Sequence, residues 1–388
     1  MVIVKGVSAK EISDSRGEKT ILISIKTNAG NFSASAPMGK SRGKHEAVPY
    51  KKTLGEDIAT IKKFSEYFSK EIIDQYDDLK RIEDIVDGNV GANTSFALES
   101  AILKALAKEQ GKQIWELINP NARNFPRFVG NCIGGGQHSK SSNKKPDFQE
   151  FLLIPETKSP EEAFNIMKKA KEDAKTMLKK LDEHFEGKKS DEDAWITSLT
   201  DRDVIDLLKT LNIPLGVDAA SSTFFKRKKY LYNNPIFKRT DEEQFYYVSN
   251  IIENFDLCYI EDPFDEEDFK SFSKLKKKFP DRLIVGDDLT TTNYKRLSEA
   301  IKSKSINALI VKPNQIGFLS EVKRVCKLAK DNEIKIVFSH RSGETEESIL
   351  ADLAFGFEAD FLKCGITGKE REAKIKRLIE IEKSLNKA

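Results

Sequence analysis

The chain has 388 residues, of which 65 are Lys or Arg and 62 are Asp or Glu, so its net charge of +3 gives no global attraction to nucleic acid or to membranes. No apolar run approaches the roughly 18 residues that a transmembrane helix needs, and residues 1–7 are too quickly charged for a signal peptide. The length allows two domains, one of them large.

The four cysteines show no paired spacing, which favours free thiols in a reducing cytoplasm over a disulfide framework. Three of them lie in apolar runs or in an amphipathic segment, so we expect buried thiols. Cys364 follows a predicted strand end and could be a catalytic thiol, although no base is paired with it in sequence. We therefore predict a cytoplasmic protein without disulfides.

The first third of the chain has strand patterns followed by helix patterns. The strand patterns predict an antiparallel meander and cover residues 2–4, 20–25 and 32–36, with residues 28–30 as a hairpin turn. Residues from about 51 to 118 have helical spacing of apolar side chains, with Gly111 as a plausible C-cap. Together these elements predict an α+β domain.

Residues 37–47, called the lid below, connect the meander to the helices. The segment contains two glycines and has no apolar anchor after Met38. Loops of this composition are mobile enough to close over a ligand.

A second domain begins near residue 127. Its opening elements are a strand pattern, a glycine run with a histidine, a second strand pattern, a long helix pattern and a polar loop: residues 129–133, 134–138, 148–154, 160–184 and 187–195.

From residue 214 onward one unit repeats, a short apolar run that ends in a polar residue and is followed by a helix pattern. The clearest copy covers residues 309–345, where two runs rich in Val and Ile flank a helix pattern at 318–332. Most steps are about 25 residues long, as in minimal βα repeats, and in (β/α)8 barrels the chemistry lies where the strands end. The residues expected to converge there are Asp218, Glu261, Asp287, Lys312, Ser339, His340, Arg341 and Lys363.

Eight motifs, spread in order over nearly the whole chain, resemble those of the enolase family. They are Ser15-Arg-Gly17, Gly43-x-His-Glu-Ala47, Gln149-Glu-Phe151, Asp218-Ala-Ala-Ser221, Glu261-Asp-Pro-Phe264, Gly286-Asp-Asp-Leu289, Lys312-x-Asn-Gln-Ile-Gly317 and Ser339-His-Arg-Ser-Gly-Glu-Thr345. One motif could arise by chance, but not this number in this order. The resemblance implies an α/β fold with an α+β cap domain at residues 1–126 and an enolase-type (β/α)8 barrel with an antiparallel start at residues 127–388. It also implies a homodimer or a larger homo-oligomer.

The resemblance further implies reversible conversion of 2-phosphoglycerate to phosphoenolpyruvate with two Mg²⁺ ions per active site. Removing a proton next to a carboxylate creates a dianion, which needs divalent positive charge. Asp218, Glu261 and Asp287 would supply hard oxygen ligands, which suit Mg²⁺, and Ser41 aligns with the lid serine that reaches the second ion. Enolase-superfamily sites are themselves a known example of a Lys or His base working with Mg²⁺.

By the same resemblance, Lys312 takes the C2 proton, and Glu192 with its partner Glu150 protonates the departing hydroxyl. A free lysine titrates near 10.4, and we expect the bound metal and the neighbouring cations Arg341 and Lys363 to lower the pKa of Lys312. Two carboxyls held close together raise one pKa, which keeps a proton available.

The resemblance assigns other side chains to the substrate. Arg341, as a bidentate donor, and Ser342 would hold the phosphate, Lys363 the carboxylate side, and His138 would close over the ligand. His340 is equally compatible with ring packing and with ligand contact. The full set assigned to substrate binding is His138, Glu150, Glu261, Asp287, Arg341, Ser342 and Lys363.

Two loops depart from the usual family pattern. The lid reads Met-Gly-Lys-Ser-Arg-Gly at 38–43 where Ser-Gly-Ala-Ser-Thr-Gly is usual, and the acid loop at 190–195 has Asp193 and Ala194 where glycines are usual. Glycine allows backbone angles that other residues rarely adopt, so these changes put turnover and lid motion in doubt. Two alternatives remain open. One is another carboxylate substrate, as in acid-sugar dehydratases or epimerases, which usually show a Lys-x-Lys that residues 148–155 lack. The other is a non-catalytic binding protein.

Overall fold

The computed structural model describes residues 1–40, 42–69, 71–139 and 144–386. The N-terminal part contains the strands β1 (Val2–Ser13), β2 (Lys19–Thr27), β3 (Gly30–Ser35) and β4 (Ile72–Ile73) and the helices α1 (Leu54–Phe68), α2 (Leu79–Val86), α3 (Ala92–Gln110) and α4 (Ile114–Ile118). The strands form a sheet in the order β3-β2-β1-β4 with antiparallel pairing. The predicted meander and the α+β character are confirmed.

Two details of this part follow from backbone chemistry. Strand β1 is longer than the predicted residues 2–4, because its polar residues pair with β2 as far as Ser13 opposite Lys19. Helix α3 ends at Gly111, which adopts the left-handed conformation with φ +63°, as expected of a glycine C-cap.

The C-terminal part contains the remaining strands. They are β5 (Arg127–Gly134), β6 (Glu150–Leu153), β7 (Trp195–Ile196), β8 (Leu215–Asp218), β9 (Phe225–Lys226), β10 (Lys229–Asn233), β11 (Ile236–Arg239), β12 (Tyr259–Glu261), β13 (Leu283–Gly286), β14 (Ala308–Val311), β15 (Lys335–Ser339) and β16 (Phe361–Gly365). The helices are α5 (Pro160–Leu181), α6 (Asp201–Lys209), α7 (Asp241–Phe255), α8 (Phe269–Lys278), α9 (Tyr294–Lys302), α10 (Leu319–Asp331), α11 (Ile349–Gly356) and α12 (Lys369–Leu385).

Eight of these strands close into a barrel in the order β5-β6-β8-β12-β13-β14-β15-β16, with β16 hydrogen-bonded back to β5. Strand β6 is antiparallel to both of its neighbours, and the other pairs are parallel. Because β6 runs in the opposite direction, its first residue, Glu150, pairs with Asp218, the last residue of β8. The predicted barrel with an antiparallel start is confirmed.

The long step between Asp218 and Glu261 contains a small separate sheet. Strands β9, β10 and β11 form it, and helix α7 follows. Residues 226–229 are exposed and connect β9 to β10 as a hairpin.

The cap domain is fastened to the barrel by hydrogen bonds at buried positions. Glu99 of α3 accepts a hydrogen bond from the backbone N–H of Leu319 at 2.8 Å, and Glu83 of α2 accepts one from Ser320 at 3.1 Å, both at the start of α10. Acidic groups at a helix N-terminus complement its unpaired N–H groups and its dipole. The Ser15 N–H also donates to the carbonyl of Glu344 at 2.7 Å. These contacts place the lid over the end of the barrel that carries the strand C-termini. The division between residues 126 and 127 remains a prediction.

Within the described ranges, no helix combines the length and the apolar character that crossing a bilayer requires. The apolar side chains instead form a core between the strands and helices and a second cluster that includes Val129, Leu152, Tyr259, Ile310 and Val337.

We expect Ile310→Ala to lower the free energy of unfolding by about 2–5 kcal/mol, because Ile310 is 0% exposed in that second cluster and the truncation leaves a cavity. Ile236→Ala is the matched control, since Ile236 is 86% exposed and surface truncations usually change stability by about 0.5 kcal/mol or less. Urea unfolding measures both. Equal losses in the two variants would contradict the burial described here.

Candidate active site

The strand ends bring the predicted polar residues together. Asp218, Glu261 and Ser339 are the last residues of β8, β12 and β15, and Asp287 and Lys312 directly follow β13 and β14. Lys363 lies within β16, and its side chain reaches the same mouth. The convergence expected from the sequence is therefore present.

The Lys363 ammonium lies among three carboxylates. Its Nζ is 3.0 Å from Asp218 Oδ2, 2.8 Å from Glu261 Oε1 and 3.2 Å from Glu150 Oε2. Burial alone would lower the pKa of Lys363, but these carboxylates outweigh it and hold the pKa well above its usual value. Burial and the Asp218 charge raise the pKa of Glu261 to about 8. The cluster thus carries more negative charge than Lys363 balances.

Lys312 is paired with the third predicted metal ligand. Its Nζ donates a hydrogen bond to Asp287 Oδ2, and Gln315 Nε2 donates to Asp287 Oδ1 at 3.3 Å. Burial, Arg341 and Lys363 act to lower the pKa of Lys312, but the Asp287 carboxylate outweighs them and the pKa is raised. Arg341 and Lys363 thus act in the expected direction, and the Asp287 contact that outweighs them cannot be read from the sequence.

Glu192 and Glu150 lie on either side of His138. His138 Nδ1 is 3.6 Å from Glu150 Oε1 and 3.6 Å from Glu192 Oε1. Burial lowers the pKa of His138. Asn131 Nδ2 donates to Glu192 Oε2 at 2.9 Å, and His340 Nε2 lies 3.3 Å from the same oxygen.

The two carboxyls have opposite pKa shifts. Burial and the Glu192 charge raise the pKa of Glu150 well above its usual value. Burial acts to raise the pKa of Glu192 as well, but His340 and His138 outweigh it and hold that pKa well below its usual value. One of the two close carboxyls therefore has a raised pKa, as expected from the sequence. The raised pKa belongs to Glu150, whereas the sequence-based prediction gave the acid role to Glu192.

The Arg341 guanidinium is paired with the lid. Its Nη1 and Nη2 donate to Glu46 Oε2, each at 3.0 Å, and Nη2 also donates to Glu46 Oε1 at 3.2 Å. Gly39 lies so close that a Cβ there would be 1.8 Å from Arg341 Nη2. The neighbouring Ser342 Oγ accepts a hydrogen bond from the Lys40 N–H at 2.9 Å.

The acid loop adopts a glycine-like conformation despite its substitutions. Asp193 has φ +63°, in the left-handed region, which Asp tolerates better than most residues. Its carboxylate lies 3.1 Å from Lys171 Nζ and 2.8 Å from Lys189 Nζ. The expectation that Asp193 excludes such backbone angles is therefore wrong for this residue.

The donor set can be tested for its fit to a divalent metal. Two groups among the described residues have ligand atoms within 4.8 Å of one another: Asp262, Asp287 and Asp288, and His138, Glu150 and Glu192. In the predicted set, ammonium groups already lie against the oxygens, Lys363 against Asp218 and Glu261 and Lys312 against Asp287. The predicted set of Asp218, Glu261 and Asp287 is not one of these two groups, so its three carboxylates do not all lie within 4.8 Å of one another among the described residues. Their carboxylate oxygens are nevertheless the kind of ligand that Mg²⁺ prefers, so the donor chemistry fits such an ion. Ser41 lies outside the described residues.

The site is nearly closed. The cavity between the lid and the barrel has a volume of about 20 Å³, room for about one water molecule. Gly39, His138, Glu192, Lys312 and Arg341 contribute to its lining. A phosphorylated three-carbon acid is much larger than a water molecule, so the lid must move to admit one.

Cys364 lies in an environment unsuited to a nucleophile. The residue is buried, and burial raises the pKa of its thiol to about 12. A protonated thiol is a poor nucleophile, so the structure argues against the alternative of a catalytic thiol.

Three contacts of the site were not assigned from the sequence. Glu46 and Gln315 lie within two of the family-like motifs, and this membership is the sequence feature that could have indicated a contact with the site. Asn131 lies in β5, and only the closed barrel shows that it faces Glu192.

Comparisons with known proteins agree along the chain. The family model described as "Enolase, N-terminal domain" matches residues 4–118, and the one described as "Enolase, C-terminal TIM barrel domain" matches residues 123–388. The enolase of Pyrobaculum aerophilum is 36% identical over 380 residues, which cover 91% of this chain and 88% of that protein. The enolases of Methanosphaera stadtmanae and Sulfurisphaera tokodaii are 34% and 35% identical, covering 99% and 98% of this chain and 97% and 95% of theirs.

Proposed function

The chain belongs to the enolase family, and we propose a role in the family's reaction for each residue of its barrel mouth. The enzyme is a lyase, a phosphopyruvate hydratase, which dehydrates 2-phosphoglycerate reversibly to phosphoenolpyruvate. The observation that carries the assignment of roles is the arrangement of one mouth, where Lys312 and the two carboxyls of Glu150 and Glu192 line the same small cavity. Such a site holds both a base and an acid, as a dehydration needs. Another substrate or a purely binding role is not favoured.

Lys312 is the proposed base that removes the C2 proton. Its Nζ is held by Asp287 at the mouth, which fixes the direction from which it reaches the substrate. The ammonium must lose its proton to act, and the Asp287 carboxylate opposes this. A divalent cation held by Asp218, Glu261 and Asp287 would neutralise that carboxylate and stabilise the dianion formed by proton removal.

Glu192 and Glu150 form the proposed acid pair that protonates the departing hydroxyl. The pKa of Glu150 is raised and that of Glu192 is lowered, so Glu192 would need a proton from its partner before it could donate one. Asn131 holds one Glu192 oxygen at 2.9 Å, and His138 Nδ1 lies 3.6 Å from an oxygen of each acid. His138 would lie over the bound substrate.

Arg341 and Ser342 are the proposed phosphate contacts, and Lys363 the contact for the carboxylate side. Arg341 already binds an anion, the Glu46 carboxylate, through the paired donors that a phosphate would use. This supports an anion site at that position. It also implies that Glu46 and the phosphate compete unless the lid shifts.

We further propose two Mg²⁺ ions per active site, with Ser41 reaching the second, a role in glycolysis and gluconeogenesis, and a cytoplasmic location. The four free cysteines are compatible with a reducing compartment. The homodimer or larger assembly implied by the family resemblance stays a prediction.

We expect the purified protein with Mg²⁺ to convert 2-phosphoglycerate, measured as the ultraviolet absorbance of phosphoenolpyruvate. The reverse reaction should lower the same absorbance. Omission of substrate and chelation of the metal are the controls. No absorbance change in either direction over the neutral pH range would overturn the assignment.

The roles of base and acid can be separated. Lys312→Ala should abolish exchange of the C2 proton with solvent, whereas Glu192→Gln should spare exchange and slow dehydration by about 10²–10⁴-fold, the usual contribution of a general acid. Proton exchange is followed by nuclear magnetic resonance in heavy water. Lys302→Ala and Glu299→Gln are matched controls on the exposed face of α9. Equal loss of both activities in Glu192→Gln would refute the division.

We expect Mg²⁺ to raise the thermal unfolding midpoint, because a ligand that binds only the folded state contributes about 2.7 kcal/mol at a hundredfold excess over its Kd. Asp218→Asn should reduce this Mg²⁺-dependent shift. Asp256→Asn should not, since the Asp256 side chain is 73% exposed and pairs with Arg282. A shift of the same size in both variants would argue against a metal at Asp218.

A further inference from the structure

One lysine of the lid contacts three loops, those that carry His138, Glu192 and Ser342. Lys40 Nζ lies 2.9 Å from Asp191 Oδ2 in the acid loop and donates to the Gln137 carbonyl at 2.8 Å, next to His138. The backbone N–H of Lys40 donates to Ser342 Oγ at 2.9 Å. The usual family motif has alanine at this position of the lid, so these side-chain contacts are a feature of this chain.

Asp191, the ion-pair partner of Lys40, is the residue immediately before the proposed acid Glu192 in the chain. Asp191 precedes Glu192, its side chain is 3% exposed, and its backbone carbonyl accepts a hydrogen bond from Arg371 Nη2 at 3.0 Å. The backbone N–H of Asp191 also donates to the His138 carbonyl at 3.3 Å. A displacement of the Asp191 side chain is therefore transmitted to the backbone that sets the position of Glu192.

The other side of the acid loop is held without the lid. Asp193 pairs with Lys171 of α5, whose Nζ also contacts the Asp193 carbonyl and Thr367. These partners lie in the barrel domain and do not move with the lid. Glu192 thus lies between one ion pair within the barrel domain and one ion pair that joins the acid loop to the lid.

We propose that Lys40 is a positioning residue that couples lid closure to the placement of Glu192 through its ion pair with Asp191. The inference rests on the proposed roles of Glu192 and Lys312. Because the cavity holds about 20 Å³ when the lid is down, the ion pair must break to admit substrate and form again before dehydration. Lys312 stands on other strands and contacts Asp287 instead of the acid loop, so proton removal at C2 is less dependent on Lys40.

The expected effect is moderate because Lys40 is 34% exposed and water and salt screen such a pair. We expect Lys40→Met to lower the ratio of the dehydration rate to the C2 exchange rate about tenfold, within the range of couplings between contacting residues. Lys40→Arg keeps the charge and should restore most of the ratio. Added salt should lower the ratio in the unchanged protein more than in Lys40→Met.

Arg42→Met is the matched control. It removes the same charge from the same segment, but Arg42 donates its hydrogen bond to the Ala47 carbonyl within the lid. The dehydration rate and the C2 exchange rate should both fall in this variant, because the electrostatic attraction of an anionic substrate weakens. Their ratio should stay as in the unchanged protein.

A double-mutant cycle tests the pair itself. Lys40→Met combined with Asp191→Asn should lower the ratio no further than either change alone, since both remove one interaction. Rates that fall together in Lys40→Met, or losses that multiply in the double variant, would overturn the proposal. Absence of dehydration in the unchanged protein would instead refute the proposed function, so the two failures are distinguishable.

Discussion

The balance of buried charge at the barrel mouth is the constraint on which the site depends. Lys312 and Lys363 are surrounded by carboxylates at the strand ends, and removing one member of such a buried pair leaves a charge whose desolvation costs several kcal/mol. Four barrel strands, β6, β8, β12 and β16, each contribute one of these groups, and Asp287 and Lys312 directly follow β13 and β14, so the strand register determines the charge pattern. The carboxylates of the mouth are not fully compensated by the two lysines, because burial and Asp218 raise the pKa of Glu261 to about 8. The site is therefore organised to accept further positive charge.

The same principle fixes the lid. Glu46 places a carboxylate on the Arg341 guanidinium, and Gly39 lies against it where no side chain fits. Glu99 of α3 and Glu83 of α2 accept hydrogen bonds from the start of α10 and so attach the cap domain, with the lid, to the barrel. Under the proposed roles, the substrate phosphate replaces the Glu46 carboxylate as the anion bound by the Arg341 guanidinium. Lid position and phosphate binding are then linked through Glu46 at Arg341 and through the Lys40 N–H at Ser342.

The sequence was sufficient for the architecture because the signals were local. Short runs of Val and Ile, each followed by a polar residue, predicted strands whose ends meet, and the barrel closes through β16 and β5 as that reading requires. Direct contacts between groups far apart in sequence could not be read. The Asp287 contact that raises the pKa of Lys312, the Glu46 contact with Arg341 and the raised pKa of Glu150 depend on distances of a few ångströms. The β9–β11 sheet was missed because its strands are short and its turn is rich in lysine.

The acid loop shows that a residue other than glycine can adopt the backbone conformation that the usual family motif reserves for glycine. Glycine is preferred at positive φ because other side chains crowd the backbone there, but Asp pays less of this cost than branched residues. Asp193 adopts the conformation, and its carboxylate gains ion pairs with Lys171 and Lys189 that glycine cannot make. A loop held by such pairs has fewer accessible conformations than a glycine loop. On the other side of Glu192, the lid lysine Lys40 reaches Asp191. One substitution in each loop, Lys40 and Asp193, thus places an ion pair next to Glu192.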